Sequence, residues 1–210
     1  MVHLFLVRHG ETESNRRGLA LGRADVPLNE NGRRQALQLA AALSEEALLA
    51  VYASPLARTA ETARPIASAH DLAVQLEPGF IEMDIGEVEG MTLAELRKRY
   101  PHLLKTWAGA RGPRTAMPGG ERLLDVQRRA VAALRLVAKR HPDGSVCVVT
   151  HNFVILSLLA DVLAIDLAAF RRLRHAVGGI TTLELNPGRT RVVRLNDTCH
   201  LAGSSDVSKE

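Results

Sequence analysis

Arg8-His9-Gly10 closes a short apolar run, and these residue types in this order could handle a phosphoryl group. A neutral imidazole can attack phosphorus, and a guanidinium beside it can grip phosphate oxygens with its planar fork. A glycine next to them lets the backbone pass close to a ligand. His151 closes a second apolar run, Val146–Val149 followed by Thr150. Each feature alone is also what a packed histidine at a strand end would look like. Arginine supplies 23 of the 27 basic residues and the net charge is +4, so an anionic partner fits the composition. The arginines are scattered as pairs such as Arg16-Arg17, Arg33-Arg34 and Arg128-Arg129, and aromatics make up only 3%. With so few stacking platforms, nucleic acid is not the expected partner.

The elements that must position these residues follow from periodicity. Val2–Val7, Leu48–Ala53, Leu72–Leu76 and Val146–Val149 read as strands. Residues 31–43 read as a helix with Ala36, Leu39, Ala40 and Leu43 inward and Asn29 as its N-cap. A second helix opens at Ser54-Pro55, with serine as N-cap, proline in the first turn and Leu56, Ala60, Ala63 and Ala67 as its core face. Residues 121–140 form a long amphipathic helix, and another follows Thr150-His151-Asn152 to about Ala164. Ile180–Leu185 and Arg191–Leu195 flank Asn186-Pro187-Gly188, a hairpin signal. Strands alternating with helices predict an α/β fold, a three-layer α/β/α sandwich around a mostly parallel sheet. Ligands bind such sheets beyond the carboxyl ends of the strands, where Arg8-His9 and His151 fall. Residues 78–120, rich in glycine, proline and charge, read as a small helical lid insertion with one helix near Thr92–Tyr100. The expected organisation is one domain over 1–197, with 198–210 as a disordered tail.

Six segments in order resemble the histidine phosphatase superfamily, which includes the cofactor-dependent phosphoglycerate mutases. They are Arg8 through Asn15, Gly22 through Leu28 with Gly32 and Gln35-Ala36, and Ser54 through Ala63. Glu82 with Gly86, Glu89 and Gly90, then Pro118 through Glu121, then Val148 through His151 complete the set. The resemblance covers residues 4 to about 197. It implies that His9 becomes phosphorylated while Arg8, Arg58 and His151 surround the transferring group, with Asn15, Gly22 and Asn152 on the substrate. It also implies that Glu82 protonates the leaving oxygen and then deprotonates water. Residue chemistry alone leaves Glu82, Asp84, Glu87 and Glu89 as equal candidates; the family's spacing to Gly86 selects Glu82. Four positions depart from the pattern. Leu21 stands where a polar residue is usual, Val88 where an aromatic is common, and Asn152-Phe153 where two small residues are more usual, although the mutases also carry an asparagine near this point.

Other chemistries fit poorly. The sixth position after Cys147 is Phe153 and not arginine, so a cysteine-based phosphatase is excluded. No Gly-x-x-x-x-Gly-Lys loop occurs, and no spacing of His, Cys or carboxylates suggests a metal. The expected activity is therefore metal-independent and cofactor-free hydrolysis of a small phosphorylated metabolite. The alternatives are a phosphoglycerate mutase primed by 2,3-bisphosphoglycerate and an idle phospho-ligand binder. Only 35 residues separate Glu82 from Pro118, short for the mutase insertion, and no core residue has been lost, so the phosphatase is favoured. Arg97, Lys98, Arg99, Lys105, Arg111 and Arg114 could meet a second anionic group of the substrate or form a solvated face. No apolar stretch reads as a signal peptide or membrane span, so a cytoplasmic protein, monomeric or homodimeric, is expected.

Overall fold

The computed structural model describes residues 1–186 and 189–201. The strands are β1 (Val2–Arg8), β2 (Leu48–Ala53), β3 (Val74–Leu76), β4 (Gly144–Thr150), β5 (Ile180–Asn186) and β6 (Arg189–Asp197). The helices are α1 (Glu13–Arg16), α2 (Glu30–Ala42), α3 (Ala57–Ser68), α4 (Leu93–Arg99), α5 (Pro101–Ala108), α6 (Leu123–Arg140) and α7 (Asn152–Val162). One six-stranded sheet runs in the order β3-β2-β4-β1-β5-β6. Its first four strands are parallel, and β5 and β6 complete it antiparallel.

Successive side chains of a strand point to opposite faces, and both faces of this sheet are apolar. On one face Phe5, Val7, Val51, Ala53, Cys147 and Val149 pack on Leu39 of α2 and Ile66 of α3. On the other, Leu4, Leu6, Tyr52, Val146 and Val148 pack on Val126 and Ala130 of α6 and on Ile155 and Leu158 of α7. The result is the expected three-layer α/β/α arrangement.

Several elements differ from the expectation. Ser54 and Pro55 do not open α3; the helix starts at Ala57, whose N–H donates to Asp25 Oδ1 at 2.7 Å. Ala60 is half-buried, and Arg58, Thr59 and Thr62 are buried in its place. The single helix expected near 92–100 is two. Thr92 and Glu95 form a capping box on α4, and Pro101 then disfavours helical backbone at Tyr100 and starts α5. Residues 78–120 are also more than a lid, because Phe80, Met83, Ile85, Val88 and Trp107 are all buried in the core beside α6 and α7. Cys199–Leu201 form a 3-10 turn with Leu201 buried, not part of a disordered tail. The turn expected at Pro187-Gly188 and the chain beyond Leu201 lie outside the described residues.

Strand order places the site. β1 and β4 are parallel neighbours with Arg8 opposite Thr150, so the next residues, His9 and His151, leave the sheet side by side. The loop after His9 then presses backbone to backbone on the start of α2. A Cβ on Gly10 would lie 2.5 Å from the Gly32 carbonyl oxygen, and one on Gly32 would collide with the Glu11 carbonyl. What Gly10 makes room for is therefore α2. Gly32→Ala is expected to cost about 1–3 kcal/mol, as overpacking does. Thermal denaturation should show it as a fall in Tm of about 2–10 °C.

Candidate active site

His9 Nδ1 lies 2.7 Å from the Gly10 carbonyl oxygen. A carbonyl only accepts, so Nδ1 carries the proton and Nε2 keeps its lone pair. Burial pushes the His9 pKa well below the ordinary histidine value, and the Arg58 and Arg8 charges push it further the same way. The ring is thus held neutral with a defined nucleophilic nitrogen. It lines a cavity of about 360 Å³ together with Arg8, Asn15, Glu82 and Asn152.

His151 meets His9 edge to face, with ring centroids 5.2 Å apart. Its Nε2 lies 2.7 Å from the Ser54 hydroxyl. Ser54 is therefore freed from capping and oriented toward this imidazole, a role no local sequence signal marks. Burial, then the Arg58 charge, holds the His151 pKa well below the ordinary value. Arg58 is fully buried. It donates from Nη2 to the Gly22 carbonyl at 2.6 Å and from Nη1 to the Ala24 carbonyl at 2.9 Å, while Nε has no hydrogen-bond partner among the described residues. Arg8 donates through Nη1 to the His175 carbonyl.

Glu82 is buried, and burial pushes its pKa up. The Met83 N–H on Oε1 (2.8 Å), the Arg58 charge and the Phe153 N–H on Oε2 (3.3 Å) oppose that rise without cancelling it. Its backbone is clasped by α6. Arg129 donates to the Gly79, Ile81 and Glu82 carbonyls and pairs with Glu121 at 3.2 Å. Arg23 bonds the same Glu82 carbonyl at 3.2 Å and the other Glu121 oxygen at 3.0 Å. Glu121 also accepts the Asp84 N–H at 3.0 Å. Sequence reasoning assigned no role to Arg129 or to Arg23, although Arg23 lies within the second motif.

The residues expected on substrate divide. Asn15 accepts the Thr12 N–H (3.1 Å) and hydroxyl (2.9 Å) through Oδ1, which leaves its amide NH₂ for the cavity. Asn152, the first residue of α7, lines the cavity too. Gly22 does not; its N–H donates to Glu89 Oε1 at 2.8 Å and its carbonyl holds Arg58. Its small size serves that anchor, because a Cβ there would meet Ile85 and the Met83 carbonyl at 2.7 Å. Arg97, Lys98, Arg99, Lys105, Arg111 and Arg114 are all exposed, and none lines the cavity. Among the described residues no three His, Cys, Asp or Glu side chains group as metal ligands. No helix among them is long and apolar enough to cross a membrane.

A sequence profile of the Histidine phosphatase superfamily (branch 1) matches residues 4–198. The chain belongs to that superfamily. This histidine phosphatase is 37% identical over 201 residues to phosphoserine phosphatase 1 of Hydrogenobacter thermophilus, covering 96% of this chain and 95% of that protein. Its fold matches the solved structure of Bacillus stearothermophilus YhfR with a TM-score of 0.89 at 30% identity, covering 96% and 100% of the two chains. It also matches a mutant phosphoserine phosphatase from Entamoeba histolytica in complex with phosphoserine, with a TM-score of 0.87 at 27% identity and the same coverage. This histidine phosphatase is a phosphoric monoester hydrolase. Arg129→Met would remove the side-chain donor of the Gly79 and Ile81 carbonyls, while the Glu82 carbonyl and Glu121 would keep Arg23. Each buried acceptor left unsatisfied costs about 1–3 kcal/mol, so a fall in Tm of at least about 4 °C is expected on heating.

Proposed function

We propose that His9 Nε2 attacks the phosphorus of a small phosphomonoester, with Glu82 as acid and then base. The observation that carries this reading is the His9 tautomer. Nδ1 is committed to Gly10, so the lone pair of Nε2 belongs to a cavity that Arg8 and Glu82 share. As the P–Nε2 bond forms, the bond to the ester oxygen breaks, and the Glu82 carboxylic proton passes to that oxygen. Water then loses a proton to the Glu82 carboxylate, attacks phosphorus and releases His9 with phosphate. Arg8 lines the cavity with His9 and grips the phosphoryl oxygens, while Arg58 and His151, buried and absent from the cavity wall, act on the charge spread over those oxygens through their field and dipole. The Asn15 amide NH₂ and Asn152 add neutral donors. No residue in this sequence of steps requires a metal. We place the protein in the cytoplasm, a compartment that suits its two free cysteines, Cys147 and Cys199.

The mutase reading has less support. A phosphoglycerate carries a carboxylate that needs its own cation, and none of the six basic residues of 97–114 lines the cavity.

Turnover of a phosphomonoester in excess chelator should release free phosphate and build up an acid-labile phosphohistidine visible by phosphorus NMR after alkaline quench. His9→Ala should lose both, with kcat/KM down ~10³-fold or more. With 3-phosphoglycerate, accumulation of 2-phosphoglycerate would mark a mutase.

The pH dependence follows from the two shifts. Lowered, the His9 pKa keeps the nucleophile neutral until the pH falls well below the ordinary histidine range. Raised, the Glu82 pKa keeps the acid protonated above the usual carboxylate range, and activity is lost as pH rises through it. For an alkyl phosphate, kcat/KM should therefore fall on the alkaline side through a carboxyl group. Glu82→Gln should remove that limb and cost about 10²–10⁴-fold. For a dinitrophenyl ester, whose leaving group needs no proton, kcat/KM should be nearly indifferent to the substitution, while kcat falls because the base for the water step is lost.

A further inference from the structure

The three apolar residues among the positions that depart from the family pattern converge. Leu21 and Phe153 line the cavity beside His9, with Leu19, Ala20, Met91, Leu93 and Leu96. Leu21, Phe153 and Val88 also line a second cavity of about 190 Å³ with Ile85, Leu103 and Trp107. The two cavities share Ala20, Leu21, Leu96 and Phe153. They are adjoining chambers.

The charges are distributed just as unevenly. Arg8, His9 and Glu82 are the ionisable side chains on the first cavity's wall, and the proposed chemistry uses all three. Asn15 and Asn152 are its remaining polar side chains. The one ionisable side chain on the second cavity's wall is Arg171, whose guanidinium lies over the Phe170 ring at 5.3 Å. A phosphorylated amino acid or hydroxy acid would bring a carboxylate, and often an ammonium group, among leucines, methionine and phenylalanine. Burying such charges unpaired is strongly unfavourable. An alkyl or aryl alcohol loses nothing there and gains from leaving water.

We infer that the preferred substrate is a phosphomonoester of an apolar alcohol, whose hydrocarbon part runs past Leu21, Leu96 and Phe153 into the Trp107 chamber. This rests on the phosphatase mechanism above and adds the class of leaving group. Selectivity arises at this wall, because the phosphate end of the site is common to every ester.

The test is a series of alkyl phosphates from ethyl to hexyl, with phosphoserine and 3-phosphoglycerate beside them. Their alcohols are similarly poor leaving groups, so reactivity does not confound binding. Each added methylene should raise kcat/KM about two- to fourfold until the chamber fills. Hexyl phosphate should exceed both charged esters by tenfold or more. In Leu96→Lys the gain per methylene should shrink, and 3-phosphoglycerate should improve relative to hexyl phosphate. Should that variant fail to fold, the wild-type series decides alone. A series flat with chain length, or phosphoserine or 3-phosphoglycerate ahead of every alkyl ester, overturns the inference and leaves the hydrolytic mechanism standing. Undiminished turnover in His9→Ala would instead overturn the mechanism.

Discussion

A guanidinium taken wholly out of water must be met by carboxylate or by dipoles, and at Arg58 the fold supplies dipoles. The carbonyls of Gly22 and Ala24 hold two of its nitrogens, and among the described residues no carboxylate forms an ion pair with it. Its positive field therefore remains, and it acts on the neighbours. Together with burial and Arg8, that field keeps His9 and His151 neutral. It also draws against the desolvation that raises the Glu82 pKa. Such a pocket is electrostatically incomplete until a dianion enters. In the proposed mechanism, burial of the two imidazoles and the Arg58 charge together keep the nucleophile neutral.

Holding Glu82 in that field is a separate mechanical problem. The segment around it has no regular structure to satisfy its carbonyls, and a buried backbone needs partners. Arg129 meets three carbonyls from a single rigid helix, and Glu121 couples it to Arg23. Residues 78–120 are consequently anchored at one end by a charged clasp. At the other, Trp107 packs edge to face on Phe153 and Phe170 with ring centroids 6.0 Å apart. A stretch whose composition suggests a lid is thus built into the core, and its Met91, Leu93 and Leu96 line the cavity beside His9.

Much of this was legible residue by residue. The apolar runs ending at Arg8 and Thr150, the helical spacing of α2 and its Asn29 cap, and the ordered motifs around His9, Arg58, Glu82 and His151 all stand in the sequence. Ser54 and Gly22 were misread for physical reasons. A serine before proline has the form of an N-cap, yet here its hydroxyl meets an imidazole 97 residues away. A glycine in a phosphate-associated motif suggests contact with ligand, yet its carbonyl is spent on Arg58. Neither alternative leaves a trace in local spacing.

Local chemistry settles which segments are strands or helices and which side chains can react, because propensity, capping and apolar periodicity depend on residues a few positions apart. Neighbourhood is different. That β4 lies against β1, bringing His151 to His9, depends on strand order and register. So does the meeting of Leu21, Val88 and Phe153 on one wall. These are outcomes of how two faces of a sheet are buried at once, a global packing problem that no short stretch of sequence encodes.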